Sequence, residues 1–300
     1  MKKAFKAVFL SLVFTLYFSG SEAQEVAKFS VKVSEGLHLQ DLDWSIAGNL
    51  NGNSPNIYSE LIWEKMKGNS TEIQVGYRFL KNLTYKINAE KTFVLSGNVS
   101  DRDYSEDDRQ NEIFSAVLET NKGYSWGLEN SLAYSFYATK KLALLAELGY
   151  TISRQSLYLT DDGFSVGQET LNSNYKTKWQ GAVLALEGIY FTDKKLSIAA
   201  IANFQKLDYS AIGNWNLVEE FAHPKSFTHR ANALGYGFSI GPKYQLSKKL
   251  SLEMEYNFQK YVSKKGIDRL FFTSGTQTTT RLNGVNGLSN KIALGICFYL

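Results

Sequence analysis

Asp101 and Asp103 stand two residues apart in the segment Ser96–Asp108, and three further acids, Glu106, Asp107 and Asp108, follow at once. In extended backbone, residues i and i+2 project to one face. Two carboxylates held that close rarely both ionise freely, which suits such a pair to activating a water. An imidazole to work with them has few sources, because the chain contains three histidines, His38, His223 and His229. His223 lies close behind Glu219 and Glu220. An imidazole near such a pair would supply a general base. The same acidic run also suits a solvated loop with no chemistry.

The frame that would hold these residues starts with an export signal. Lys2, Lys3 and Lys6 precede an apolar run from Ala7 to Phe18, and Ser21-Glu22-Ala23 offers a cleavage site. Residues 1–23 are therefore expected to be a signal peptide and 24–300 the mature domain. Without the signal's three lysines and Glu22 the formal charge falls from +4 to +2. That near-balance, with export, gives no basis for nucleic-acid binding. The lone cysteine, Cys297, is flanked by Ile296 and Phe298 and is expected to be a buried thiol. Beyond the signal no apolar stretch reaches the 18 residues of a transmembrane helix.

Period-2 alternation runs through the chain. Leu250, Leu252, Met254, Tyr256 and Phe258 alternate with Ser251, Glu253, Glu255, Asn257 and Gln259. Similar runs cover 126–136, 142–152, 196–204, 234–246 and 292–298. These segments exceed the roughly 5–6 residues of an ordinary strand, and about 9–11 residues cross a bilayer. Aromatic residues, among them Tyr124, Trp126, Tyr134, Phe136, Tyr190 and Tyr244, sit near the stripe ends as interfacial girdles do. Tight turns near 81–82, 138–141, 192–195 and 247–249 alternate with long polar loops near 46–55, 98–123, 161–175, 216–226 and 265–287. The pattern predicts an all-β fold: a transmembrane antiparallel β-barrel of ten strands in the outer membrane, with short periplasmic turns and long extracellular loops. Ile292, Leu294, Ile296 and Phe298 should face lipid, and the last strand should pair with the first. Ten strands enclose a narrow lumen, so the charges of the polar face, such as Lys86, Glu147, Lys243 and Glu253, should pair and fill it. That disfavours a diffusion pore.

Two segments carry a family resemblance. Ser59-Glu60-Leu61-Ile62-Trp63 and Gly97-Asn98-Val99-Ser100-Asp101-Arg102-Asp103-Tyr104 resemble strands of the omptin family of outer-membrane proteases. The resemblance implies a first catalytic pair at Asp101 and Asp103, and extracellular peptides as substrates. In the family an Asp-x-His pair from the fourth outer loop faces the aspartates. Here that loop reads Asn214-Trp215-Asn216-Leu217-Val218-Glu219-Glu220-Phe221-Ala222-His223-Pro224, and an ungapped alignment puts Val218 and Glu220 at those positions. The second pair is not retained, so Glu219, Glu220, His223 and His229 are the candidates to replace it. Parity along the third strand would turn Asp101 and Asp103 outward; a bulge near Gly97 is expected to bring them inside. Two functions follow. One is an omptin-like surface endopeptidase with a displaced carboxylate–imidazole partner. The other is a non-catalytic omptin-like barrel serving adhesion, surface binding or envelope integrity. Either calls for outer-membrane lipid, with lipopolysaccharide as a candidate ligand, and for no cofactor and no metal.

Overall fold

The computed structural model of the chain describes residues 27–167 and 169–300. The predicted signal peptide and the start of the mature domain at 24 lie outside the described residues. Twelve strands are formed: β1 (Phe29–Ile46), β2 (Ser59–Leu80), β3 (Leu83–Glu106), β4 (Gln110–Glu119), β5 (Gly123–Ala138), β6 (Leu142–Val166), β7 (Glu169–Phe191), β8 (Leu196–Asn214), β9 (Phe227–Ser247), β10 (Leu250–Ser263), β11 (Gly266–Phe271) and β12 (Gln277–Tyr299). β4 and β5 both pair with β3 and share one stave, broken at Thr120–Lys122. β10 and β11 both lie between β9 and β12 and share another. Twelve strands thus make the ten expected staves. β1 pairs with β12 from Ser30↔Tyr299 upward, which closes the ring. Closure satisfies the edge groups that hydrocarbon would leave bare.

The staves are long. β6 has 25 residues and β3 has 24, far more than a bilayer requires. Much of the predicted loop at 98–123, 161–175 and 265–287 is therefore strand: β3 runs to Glu106, β7 begins at Glu169 and β12 at Gln277. Alternation could not report these extensions, because above the lipid neither face of a strand must be apolar. The loops near 46–55 and 216–226 remain loops. All four tight turns lie at the opposite end of the barrel.

Ile292, Leu294, Ile296 and Phe298 are exposed on the outer face, with Leu148, Leu184 and Leu186, while Cys297 is buried inside. The interior has two layers. The lower one is ionic: Lys32 meets Glu255 at 3.0 Å, Lys86 pairs with Glu147 and with Glu187 at 2.8 Å, and Lys243 meets Glu253 at 2.9 Å. Lys291 bridges Glu72 and, at 2.6 Å, Glu90. A cavity of about 310 Å³ remains among these groups, Glu129, Gln205 and Gln259. The upper layer was not expected. Leu42, Trp44, Leu61, Trp63, Val99, Leu157, Tyr175, Leu207, Phe227, Leu282 and Val285 form a buried apolar core drawn from almost every stave. The lumen is mostly ionic in its lower half and mostly apolar above.

Candidate functional site

The acidic pair reaches the inner face by the expected route. On β3, Val94 is buried and Leu95 is 57% exposed; beyond the irregularity Val99 and Asp101 are buried and Ser100 is not. The face changes where β3 carries an extra residue, Lys67 pairing with Ser96 and Gly68 with Val94, next to a β2 bulge in which Glu64 pairs with Asn98 and Lys67 with Ser96. Lys65, inside this bulge, has φ 56°. Gly97 lies against the bulge so closely that a Cβ there would stand 2.9 Å from the Met66 Cα. The extra β3 residue, Leu95, turns Asp101 and Asp103 inward, six and eight residues farther along the strand.

Burial, and then the neighbouring Asp103 charge, push the Asp101 carboxyl up to about 7, although the Trp215 indole donates to it. Burial also raises Asp103, against a hydrogen bond from Ser59. Glu60 contrasts with them. Burial would raise it, but Arg109, 2.8 Å away, and the Tyr104 hydroxyl at 3.0 Å donate to it and hold it below the ordinary range. Asp107 and Asp108 serve the loop: Asp107 accepts from the Asn56 backbone N–H at 2.6 Å and Asp108 from the Asn56 side chain at 2.7 Å.

The histidines take different places. His38 lies lower in the barrel, its ring nitrogens 2.8 Å from the Thr92 hydroxyl and 2.7 Å from that of Ser289. His223 is exposed on the loop before β9, its Nδ1 2.9 Å from the Asn214 side-chain oxygen. Glu219 and Glu220 are exposed on the same loop, and the Glu220 carbonyl accepts from the Thr273 N–H. His229 is fully buried inside β9. Its Nδ1 is 2.6 Å from the Tyr175 hydroxyl, which lies 2.5 Å from that of Tyr209. Its Nε2 is 3.2 Å from Asp268 Oδ1, and Thr280 donates to the other oxygen at 2.9 Å. Trp44, Tyr175 and Phe227 surround the ring, with centroids 4.8–5.6 Å away.

A carboxylate–imidazole pair therefore exists, but it joins His229 to Asp268, directly opposite in the β9–β11 register. Asp268 carries no signal in the sequence, where 265–287 reads as a polar loop. With β11 recognised as a strand, its pairing with His229 follows. What stands over Asp101 is Trp215, which packs edge-on against Phe227 at 4.7 Å. Trp215 had no signal beyond its membership of the outer loop.

Comparison with known proteins fits this architecture. The outer membrane protease OmpT of Escherichia coli superposes with a TM-score of 0.74 over 91% of this chain and 96% of that one, at 14% identity. The NalP autotransporter translocator domain of Neisseria meningitidis gives 0.40 at 10% identity, covering 90% of this chain and 88% of that one. OprG of Pseudomonas aeruginosa gives 0.38 at 10% identity, covering 92% and 98%. No curated protein sequence matches the chain. The model of the family described as Pom, Protochlamydia outer membrane protein, matches residues 32–300. The chain belongs to that family, and it is an outer-membrane β-barrel with the fold of OmpT.

Proposed function

We propose that this barrel acts at the cell surface without hydrolysing peptides, as a non-catalytic omptin-like scaffold for surface binding, adhesion or envelope integrity. One observation carries the reading. The buried His229–Asp268 pair is enclosed by Trp44, Tyr175 and Phe227, so neither group is offered to a substrate at the rim. A general base must come within hydrogen-bond reach of the proton it removes. Purified, refolded barrel should leave a fluorogenic basic peptide uncut, at the rate of an Asp101→Asn/Asp103→Asn control. Turnover that this control abolishes would overturn the proposal.

A second reading has an observation of its own. Asp101 and Asp103 share the inner rim, and a carboxyl near 7 is suited to handling a proton at neutral pH. In an omptin-like endopeptidase the imidazole would be the exposed His223, with Glu219 or Glu220 beside it. His223→Ala should then abolish cleavage while leaving the barrel folded.

Lipopolysaccharide is the proposed lipid partner under either reading. On the outer face Lys91, Trp126, Arg154, Lys178, Ser210 and Arg230 occupy one cross-strand row of six staves. Such a belt would meet anionic headgroups, each cation contributing about 1 kcal/mol. Arg154→Ala with Lys178→Ala should weaken retention of lipid A vesicles; unchanged retention would remove the assignment.

A further inference from the structure

Among the described residues, the wall of the barrel opens above the β4–β6 seam. β4 and β6 are neighbours, yet they pair only at Glu119↔Thr160. Above that row β4 is paired to β3 alone, back to Gln110, and the Asp161–Val166 end of β6 to β7 alone. Two hairpins diverge there, each with a free edge turned toward the other. Natural sheets blunt such edges with lysines, prolines or very short strands. β4 is instead ten residues long and exposes Ile113 at 57%, Phe114 at 39% and Val117 at 69%.

We propose that the free edge of β4, Gln110–Val117, takes up an extended basic polypeptide segment as an added strand on the cell exterior. The inference rests on the surface-binding reading and names the partner class. Unpaired backbone N–H and C=O groups would supply affinity, and side chains on alternate positions selectivity. Charge selects the occupant. Apart from the inward Asp101 and Asp103, residues 98–119 hold five carboxylates against two arginines, and Asp161 and Glu169 stand on the facing hairpin. A second copy of the chain would bring the same acids against one another, whereas lysines and arginines on a strand would be drawn to both walls. Valine-sized side chains at the alternate positions would lie over Ile113 and Val117.

The test is fluorescence anisotropy of a labelled peptide of alternating lysine and valine, titrated with the full refolded chain in detergent micelles. Saturable binding is expected. It should weaken at least about tenfold, or 1.4 kcal/mol, when alternate valine amides are N-methylated, and vanish for the glutamate–valine analogue. Amide hydrogen exchange should slow in β4 on binding. Equal affinity for the N-methylated peptide would reduce the contact to charge alone and overturn the proposal. So would protection confined to other strands, self-association of the chain in place of peptide binding, or no binding at all. Mass spectrometry of the recovered peptide keeps the two readings apart. Uncut, unbound peptide sinks only the partner; cut peptide sinks the non-catalytic reading beneath it.

Discussion

At the scale of the residue, Asp101 and His229 share a type with catalytic groups and differ in what surrounds them. Asp101 is nine-tenths buried beside a second acid and under an indole; His229 is enclosed by aromatic rings, hydrogen-bonded at Nδ1 to Tyr175 and with Nε2 3.2 Å from Asp268. The Asp101 carboxyl leads to a pH prediction. Its folded value, about 7, lies above its ordinary 3.8, so the native state holds the proton more tightly than the unfolded one. Its contribution is intact below about pH 4 and is lost as pH rises toward 7. Asp101→Asn should remove that decline, gaining over the parent at pH 8 by up to about 4 kcal/mol, at 1.4 per pKa unit, and little at pH 4. Urea unfolding midpoints at the two pH values measure this. Parallel curves for parent and variant would show that Asp101 is not held protonated by burial.

At the scale of the element, what the sequence disclosed depended on the solvent each segment meets. The runs 250–258 and 292–298 must be apolar toward lipid and polar toward the lumen, so their faces, the ten staves and the closure of β12 on β1 were all legible. Gly97 was legible too, since Asp101 and Asp103 could point inward only through a bulge. Asp268, Tyr175 and Trp215 were not. Their strands and loop lie above the lipid, where a tyrosine or aspartate suits either face, and only the paired register shows that Asp268 opposes His229. The upper apolar core escaped for the same reason: Leu61, Trp63 and Val99 resume an inward course after the bulge has inverted parity. Gly97→Val tests this element. Its Cβ would meet Met66 and Thr120 at 2.9 Å, and crowding of that kind costs typically 1–3 kcal/mol. The variant should have a lowered unfolding midpoint and more rapid exchange of the Val99 and Asp101 amides. Parent-like stability and exchange would mean that the bulge does not depend on the missing side chain.

At the scale of the whole molecule, the two interior layers decide where function can lie. The lower lumen is crossed by ion pairs from Lys32, Lys86, Lys243 and Lys291, and breaking such a buried pair typically costs 3–5 kcal/mol. The upper lumen is filled by aromatic and aliphatic side chains packed between staves. A barrel closed in this way by two kinds of packing offers its loops, rim and strand edges, and no route through its centre. Single-channel recording of the purified barrel in a planar bilayer measures this directly. The predicted result is a baseline without conductance steps in neutral salt, with folded barrel verified in the same membrane. Reproducible open-channel steps from that protein would contradict the filled lumen and return the function to the interior.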